Sequence, residues 1–303
     1  MCYISAQPFS NTSLHFPTLP NTCRPPKLNK QDYHLEFVSL SDPGRVRAIN
    51  EDSATVDSEY AVTMVADGMG GHRAGDVASR MALDIVGKRL REKILLFRTG
   101  TSQAMPMQFA EQIVVEANTA IHAAARQQAN CSGMGTTLAL AIFHGEQVTL
   151  LHVGDSRIYR LRNGQLQLLT RDDSMLHDQV DLGLIAAEDA GDSHNRHLVT
   201  QALGASEHVT VHRQEETLCA GDFFLLCTDG LSDLVEERDI ELIMDSLKTS
   251  LPLTAHHLIQ LANDNGGYDN ITVALVRVLG DASARKPAGW LRRLLNRFTK
   301  VRR

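Results

Sequence analysis

The chain has 303 residues, 43% of them hydrophobic and 22% charged, an ordinary composition for a globular protein long enough to bury a substantial core. No run approaches 18 apolar residues, which argues against a membrane-spanning helix, and the first twenty residues lack the basic-then-apolar order of a secretory signal. The net charge of -6 hides an asymmetry: residues 285–303 hold eight Lys or Arg and no acid, leaving 22 basic against 36 acidic residues before them. An acidic body is a poor nucleic-acid surface but suits cation binding.

Residues 1–31 are rich in Pro, Asn, Ser and Thr without periodicity and read as a flexible extension. Order is expected from about Tyr33, with a strand over LEFVSLSD ahead of Pro43 and Gly44. The polar stretch Arg45–Asp52 (RVRAINED) follows, then a short strand. Tyr60–Ala66 is an apolar, β-branched run that reads as a buried strand and stops at Asp67, followed by Gly68, Met69, Gly70, Gly71 and His72. From Ala74 to about Phe97, Val77, Met81, Ile85, Val86 and Leu90 recur at helical spacing. A second helix is expected from about Met107 to Ala129, with Ile113, Val114, Ala117, Ile121 and Ala124 on one side.

Strands then come in quick succession. Thr136–Phe143 faces Val148–Val153 across His144-Gly145, and Arg157–Leu161 faces Leu166–Leu169 across Asn163-Gly164, a strong hairpin signal. Residues 171–207 are polar and irregular, with a short helical piece near Ser174–Leu182, and resemble a mobile insert beside a site more than core. Strands over Val209–Arg213 and Phe223–Thr228, helices over Glu236–Leu247 and Thr254–Ala262, and the strand Ile271–Val278 complete the order. Consecutive hairpins without βαβ spacing predict antiparallel sheets in an α+β fold. Two sheets needing cover, and two helix pairs to supply it, predict four layers.

Three aspartates stand at the edges of apolar runs. Asp67 precedes Gly68, Asp229 heads DGLSD (Asp229–Asp233), and Asp269 precedes Asn270. With Gly154-Asp155-Ser156-Arg157 beside them, they suggest one oxygen-lined metal centre assembled by the fold. The lack of paired His or CxxC ligands among the five cysteines steers the ion toward Mg2+ or Mn2+ rather than Zn2+, and suits a reducing cytosol. Oxygen-rich two-metal centres typically hydrolyse phosphates, the cations activating a shared water and offsetting charge on the transferring oxygens. A phosphate needs a positive handle. Arg45 and Arg47 supply forks that match phosphate oxygens, or are solvated surface arginines. Glu51 and Asp52 either orient water or are surface charge. No G-x-S-x-G elbow and no G-x-x-x-x-G-K-[ST] loop is present.

The residues RAINED (Arg47–Asp52), DGMGGH (Asp67–His72), GMGTT (Gly133–Thr137), HVGDSR (His152–Arg157), DGLSD and Asp269-Asn270 follow one another as in the metal-dependent PPM-type (protein phosphatase 2C) serine/threonine phosphatases. From about 34 to 279 the chain resembles that family's bacterial branch. The resemblance implies an αββα sandwich, two Mg2+ or Mn2+ ions, and hydrolysis of phosphoserine and phosphothreonine in proteins by direct attack of metal-bridging water. It implies that Asp67 bridges both ions, that the Gly68 carbonyl serves the first, and that Asp229 and Asp269 serve the second. Glu51 and Asp52 would hold coordinated waters, with Asp52 near the attacking one, and Arg47 would grip the phosphate. Where the eukaryotic branch carries a histidine, two residues after the bridging aspartate, this chain has Met69. The segment 171–207 corresponds to the flap beside the cleft, within a phosphatase domain of residues 32–280. The implied partners are phosphorylated proteins, among them a cognate serine/threonine kinase or its targets; the location is cytoplasmic. The alternative is a binding or scaffold protein on the same fold, although inactive relatives would be expected to lose the metal aspartates.

Two departures remain. Bacterial members commonly hold a third, weaker ion through an aspartate three residues before GMGTT and the second aspartate of DGLSD. Here those positions are Asn130 and Asp233, so the third site is expected to be weak or empty. In the tail of residues 281–303, Trp290, Leu291, Leu294, Leu295 and Phe298 fall on one helical side and the basic residues mostly elsewhere. That pattern suits an anionic membrane, an acidic partner, or packing on the protein's own body.

Overall fold

The computed structural model describes residues 33–70, 74–102, 106–127, 131–181 and 198–281. In chain order the strands and helices are β1 (Tyr33–Asp42), β2 (Ser53–Asp57), β3 (Val62–Ala66), β4 (Gly68–Met69), α1 (Ala74–Arg98), α2 (Ala110–Gln127, after a 3-10 turn over Pro106–Phe109), β5 (Gly135–Thr136), β6 (Leu138–His144), β7 (Gln147–Val153), β8 (Arg157–Arg162), β9 (Gln165–Leu168), α3 (Met175–Asp181), β10 (His212–Thr217), β11 (Phe223–Cys227), α4 (Asp229–Ser232), α5 (Glu237–Leu247), α6 (Leu251–Asp264) and β12 (Ile271–Asp281). One sheet runs β1-β12-β11-β8-β9 and the other β10-β7-β6-β3-β2, with every pairing antiparallel.

Period-two alternation along each strand splits the interior into three cores. On β6, Leu138, Leu140 and Ile142 pack toward α1 and α2, while Ala139, Ala141 and Phe143 face the opposite sheet. On β11, Phe223, Leu225 and Cys227 pack toward α5 and α6, and Phe224 and Leu226 face inward. Because helices cover the outer faces, both faces of these strands are dry. That is why an antiparallel sheet carries near-continuous apolar runs here instead of the usual polar alternation. The result is the expected four-layer αββα sandwich. Between the sheets, the Phe143 ring stands edge-on to Phe37 and to Phe224 at centroid distances of 6.1 and 5.5 Å.

The structure adjusts several boundaries. Asn163 (φ 55°) and Gly164 (φ 78°) make the β8–β9 turn as expected, positive φ at both positions matching the twist of a two-residue hairpin. His144 pairs with Gln147, so the β6–β7 turn is Gly145-Glu146 rather than His144-Gly145. The tenth strand is His212–Thr217, not Val209–Arg213; its register against β7 pairs His212 with His152. On α1 the buried stripe is Ala78, Ala82, Val86 and Leu90, and Val77 is exposed. Small alanines let this helix approach the sheet closely, so apolar bulk was a misleading guide to its inner face. Asp229–Ser232, read from sequence only as a polar motif, forms a short helical turn.

Candidate metal centre

The strand β3 ends at Ala66 and delivers Asp67 to the end of the sandwich. Its backbone is clamped by the GMGTT segment: the Asp67 N–H donates to Thr137 Oγ1 at 2.9 Å, and its carbonyl accepts from the Thr137 N–H (2.9 Å) and Thr136 Oγ1 (2.8 Å). Thr137 Oγ1 also lies 2.7 Å from Ser156 Oγ, tying the GDSR turn to the same point. Gly68 and Met69 pair with Thr136 and Gly135, so Met69, two residues after Asp67, is part of a short ladder.

Gly68 is required by close approach. A Cβ there would collide with the carbonyl oxygens of Gly75 and Glu51. The Glu51 carbonyl accepts from Ser79 Oγ at 2.6 Å, its Oε1 from the Gly75 N–H at 3.2 Å, and its N–H donates to Asn270 Oδ1 at 2.8 Å. Asn270 completes the joint by donating from Nδ2 to the carbonyls of Pro43 (3.1 Å) and Ile49 (3.0 Å), while its N–H donates to Asp269 Oδ1 at 2.8 Å. A Cβ at Gly230 would strike the Asn270 carbonyl, so the second residue of DGLSD packs directly on the Asp269-Asn270 turn.

Asp52 is buried. Thr228 Oγ1 donates to its Oδ2 at 2.8 Å and accepts the Thr272 N–H at 3.0 Å, whereas Asp52 Oδ1 has no protein partner among the described residues. Burial, and then Asp229 and Asp269, push its carboxyl up to about 7 against the hydrogen bonds from Thr272 and Thr228. Burial pushes Asp67 well above the usual carboxylate range, with Asp52, Asp229 and Asp155 adding to it; Asp67 and Asp229 lie within hydrogen-bonding reach of each other. Asp155 is raised to about 8 by burial and then by Asp229, Asp172 and Asp233. Arg47 donates from Nη2 to Asp269 Oδ2 at 2.7 Å. That bond chiefly holds the guanidinium above its ordinary pKa, with Asp67 and Asp229 also in its field.

Five chain segments thus bring Asp52, Asp67, Asp155, Asp229 and Asp269 together, with Glu51 and Arg47 at the margin and Asp233 beside Asp155. Asn130 and His72 lie outside the described residues. Among the described residues no three His, Cys, Asp or Glu side chains meet around a single point; the carboxylates lie within one another's field instead. The donor set nevertheless fits hard divalent cations. It is all oxygen, its carboxylates raise one another's pKa values, and a buried carboxylate oxygen of Asp52 is left unpartnered by the protein. Sequence reasoning gave no role to Asn270, Thr228, Thr137 or Ser79, which hold backbone and Asp52 in place. Asp155 had been noted only as a companion. The glycines beside Asp67, Asp155 and Asp229 were the available signal, since they mark where backbones touch.

Comparison with known proteins places this geometry. The sequence model described as protein phosphatase 2C matches residues 45–260. The serine/threonine phosphatase stp of Listeria welshimeri is 40% identical over 246 residues, covering 80% of this chain and 95% of that protein. The serine/threonine protein phosphatase PstP of Mycobacterium tuberculosis is 38% identical over 259 residues, 81% of this chain and 45% of that longer protein. A crystal structure of the PstP catalytic domain in complex with two manganese ions superposes with a TM-score of 0.68 at 36% identity, covering 81% of this chain and 98% of that one.

Proposed function

Since the chain belongs to the protein phosphatase 2C family and is a metal-dependent serine/threonine phosphatase acting through two ions, Mn2+ or Mg2+, we propose the part each residue of the Asp67 cleft plays. The observation that carries the reading is the meeting of Asp52, Asp67, Asp229 and Asp269 in one cleft, with Asp52 Oδ1 unpartnered. Asp67, the Gly68 carbonyl, Asp229 and Asp269 would hold the two ions, with Asp67 common to both. Bound there, the ions offset the charge that builds on the phosphoryl oxygens and lower the pKa of attacking water.

The remaining work falls to the protein. Arg47 exchanges its bond to Asp269 for the substrate phosphate, presenting a fork that matches two of its oxygens. Asp52, fixed through Oδ2 by Thr228, accepts a hydrogen bond from the nucleophilic water at Oδ1. Glu51, oriented by the Gly75 N–H, holds a second water. Attack of water on phosphorus breaks the bond to the seryl or threonyl oxygen directly, without a phosphoenzyme, and the proton that the attacking water gives up is balanced by the one the leaving oxygen takes up from solvent. Asp233 belongs to a third position, weak or empty, since the residue expected to share it, Asn130, is a neutral amide and lies outside the described residues.

Phosphorylated proteins are the substrates, and a cognate serine/threonine kinase or its targets are the natural class. The catalytic domain is assigned to residues 32–280; the extension expected over 1–31, residues 182–197 of the flap expected over 171–207, and the tail after Asp281 lie outside the described residues. Cytoplasmic location fits the cysteine usage; no helix among the described residues is long and apolar enough to cross a membrane. Mn2+-dependent release of phosphate from a phosphothreonine peptide, abolished by chelation and collapsing in Asp229→Asn, is the expected result. Activity that survives both changes overturns the assignment.

A further inference from the structure

The loops that carry Arg47 and Asp269 are knitted into one wall of the cleft. The Arg45 N–H donates to the Gly267 carbonyl at 2.7 Å, and Asn270 Nδ2 holds the carbonyls of Pro43 and Ile49. A Cβ at Gly267 would press on Arg45 at 2.8–2.9 Å, and one at Gly44 would press on the Gly267 carbonyl at 2.7 Å. This wall exposes three large apolar side chains: Val46 at 63%, Ile49 at 36% and Tyr268 at 64%. Two of them adjoin the chemical residues in sequence, Val46 before Arg47 and Tyr268 before Asp269, and Ile49 follows Arg47 by two positions.

Single exposed apolar residues need no explanation, but a group of them on two interlocked loops beside a reaction centre does. The Tyr268 ring also lies against its own loop. Gly266 has φ +129°, and a Cβ there would fall 2.5–2.9 Å from Cε2, Cζ and Oη of the ring, so the ring folds back over glycine backbone. A ring supported in this way loses little freedom when something packs on it.

Resting on the phosphatase reading above, we propose that Val46, Ile49 and Tyr268 form a docking rim for the substrate polypeptide and select an aliphatic or aromatic side chain within two positions of the phosphoresidue. The occupant follows from continuity with the reaction centre. A phosphoresidue whose phosphate reaches Arg47 brings its neighbours, about 3.3 Å per residue in extended chain, over this wall. The polar part of the rim, Arg45 and Arg47, serves the phosphate and the peptide backbone, which leaves the apolar trio to read side chains. An apolar contact on an open rim discriminates at the low end of the roughly 10- to 200-fold range of small apolar pockets.

The test compares kcat/KM on two phosphothreonine peptides, with leucine or with serine at the flanking positions, and on p-nitrophenyl phosphate, which has no flanks. Wild type is expected to prefer the leucine peptide about tenfold. Tyr268→Ala is expected to erase that preference and to lower the ratio of leucine-peptide to p-nitrophenyl phosphate turnover through KM, with Tyr268→Phe restoring both. Equal use of the two peptides by wild type, or a preference that persists in both Tyr268→Ala and Ile49→Ser, overturns the rim. Failure of wild type to turn over any of the three substrates with Mn2+ overturns the phosphatase reading instead, so the two failures are distinguishable.

Discussion

Asp229 and Asn270 illustrate two ways in which a single residue serves this cleft. Asp229 lies within reach of Asp67 and raises the pKa values of Asp52 and Asp155, so it is the carboxylate that couples the rest. Asp229→Asn keeps the shape and removes the charge; kcat is expected to fall at least about 100-fold, as when a group acting in the transition state is deleted, with Tm in EDTA unchanged or higher. Asn270 does no chemistry in this scheme, yet three of its hydrogen bonds join Pro43, Ile49 and Glu51 to the start of β12. Asn270→Ala leaves a donor and two acceptors unmet, for which about 2–3 kcal/mol is expected in urea unfolding, together with weaker activation by Mn2+. Asparagine after aspartate reads in sequence as a turn; only the fold reveals what its amide reaches.

At the scale of elements, two devices hold edges together. The β10–β11 turn is closed by Arg162, whose Nε and Nη2 donate to the two oxygens of Asp222 at 2.7 Å each, while Asp222 Oδ2 also accepts the Cys219 N–H. The Asp222 side chain is fully buried. Arg162→Ala strands that carboxylate, and a loss of about 3 kcal/mol is expected, at the lower end for a broken buried pair because Arg162 is part-exposed. The second device joins β7, β10 and the segment Arg171–Asp173. The His152 ring stacks on His212 with centroids 4.7 Å apart, and His212 Nε2 lies 2.9 Å from Asp173 Oδ1. His152 Nε2 faces the Arg171 carbonyl at 2.8 Å, and Asp173 also receives the Gly154 N–H. Burial holds His152 below its ordinary pKa, and the nearby His212 lowers it further, against the Arg171 carbonyl, Asp173 and Asp172. A group lowered in the folded state stabilises it above the unfolded pKa of about 6.5 and loses that contribution as pH falls. His152→Gln is therefore expected to lose fewer degrees of Tm than wild type between pH 7.5 and 5.5, measured by calorimetry.

For the whole molecule, the cleft is a concentration of like charge that a cation relieves. Binding to the folded state alone stabilises by about 2.7 kcal/mol at one hundred times the dissociation constant, so adding Mn2+ to metal-free protein is expected to raise Tm by several degrees. Absence of any Mn2+ shift would contradict the donor set assigned here. The sandwich itself stands on three apolar cores that do not involve the cleft carboxylates. Chelated protein is thus expected to keep its far-UV circular dichroism while losing activity.

How much was legible beforehand follows from the range over which each signal acts. Alternation along β6 and β11, the Asn163-Gly164 turn and the helical periods are local, and they established antiparallel sheets, helix pairs and four layers without the fold in hand. The ordered motifs likewise pointed to Asp67, Asp229 and Asp269, because a carboxylate beside glycine or asparagine at a strand edge is itself a short-range pattern. Closeness across the chain carries no such mark. That Gly230 seats on Asn270, that Thr228 holds Asp52, that Arg47 bonds Asp269, and that Asp233 lies in the field of Asp155 were decided only when the two sheets packed. The displaced start of β10 has the same origin: its residues follow the pairing offered by β7, and their own apolar content did not determine where the strand begins.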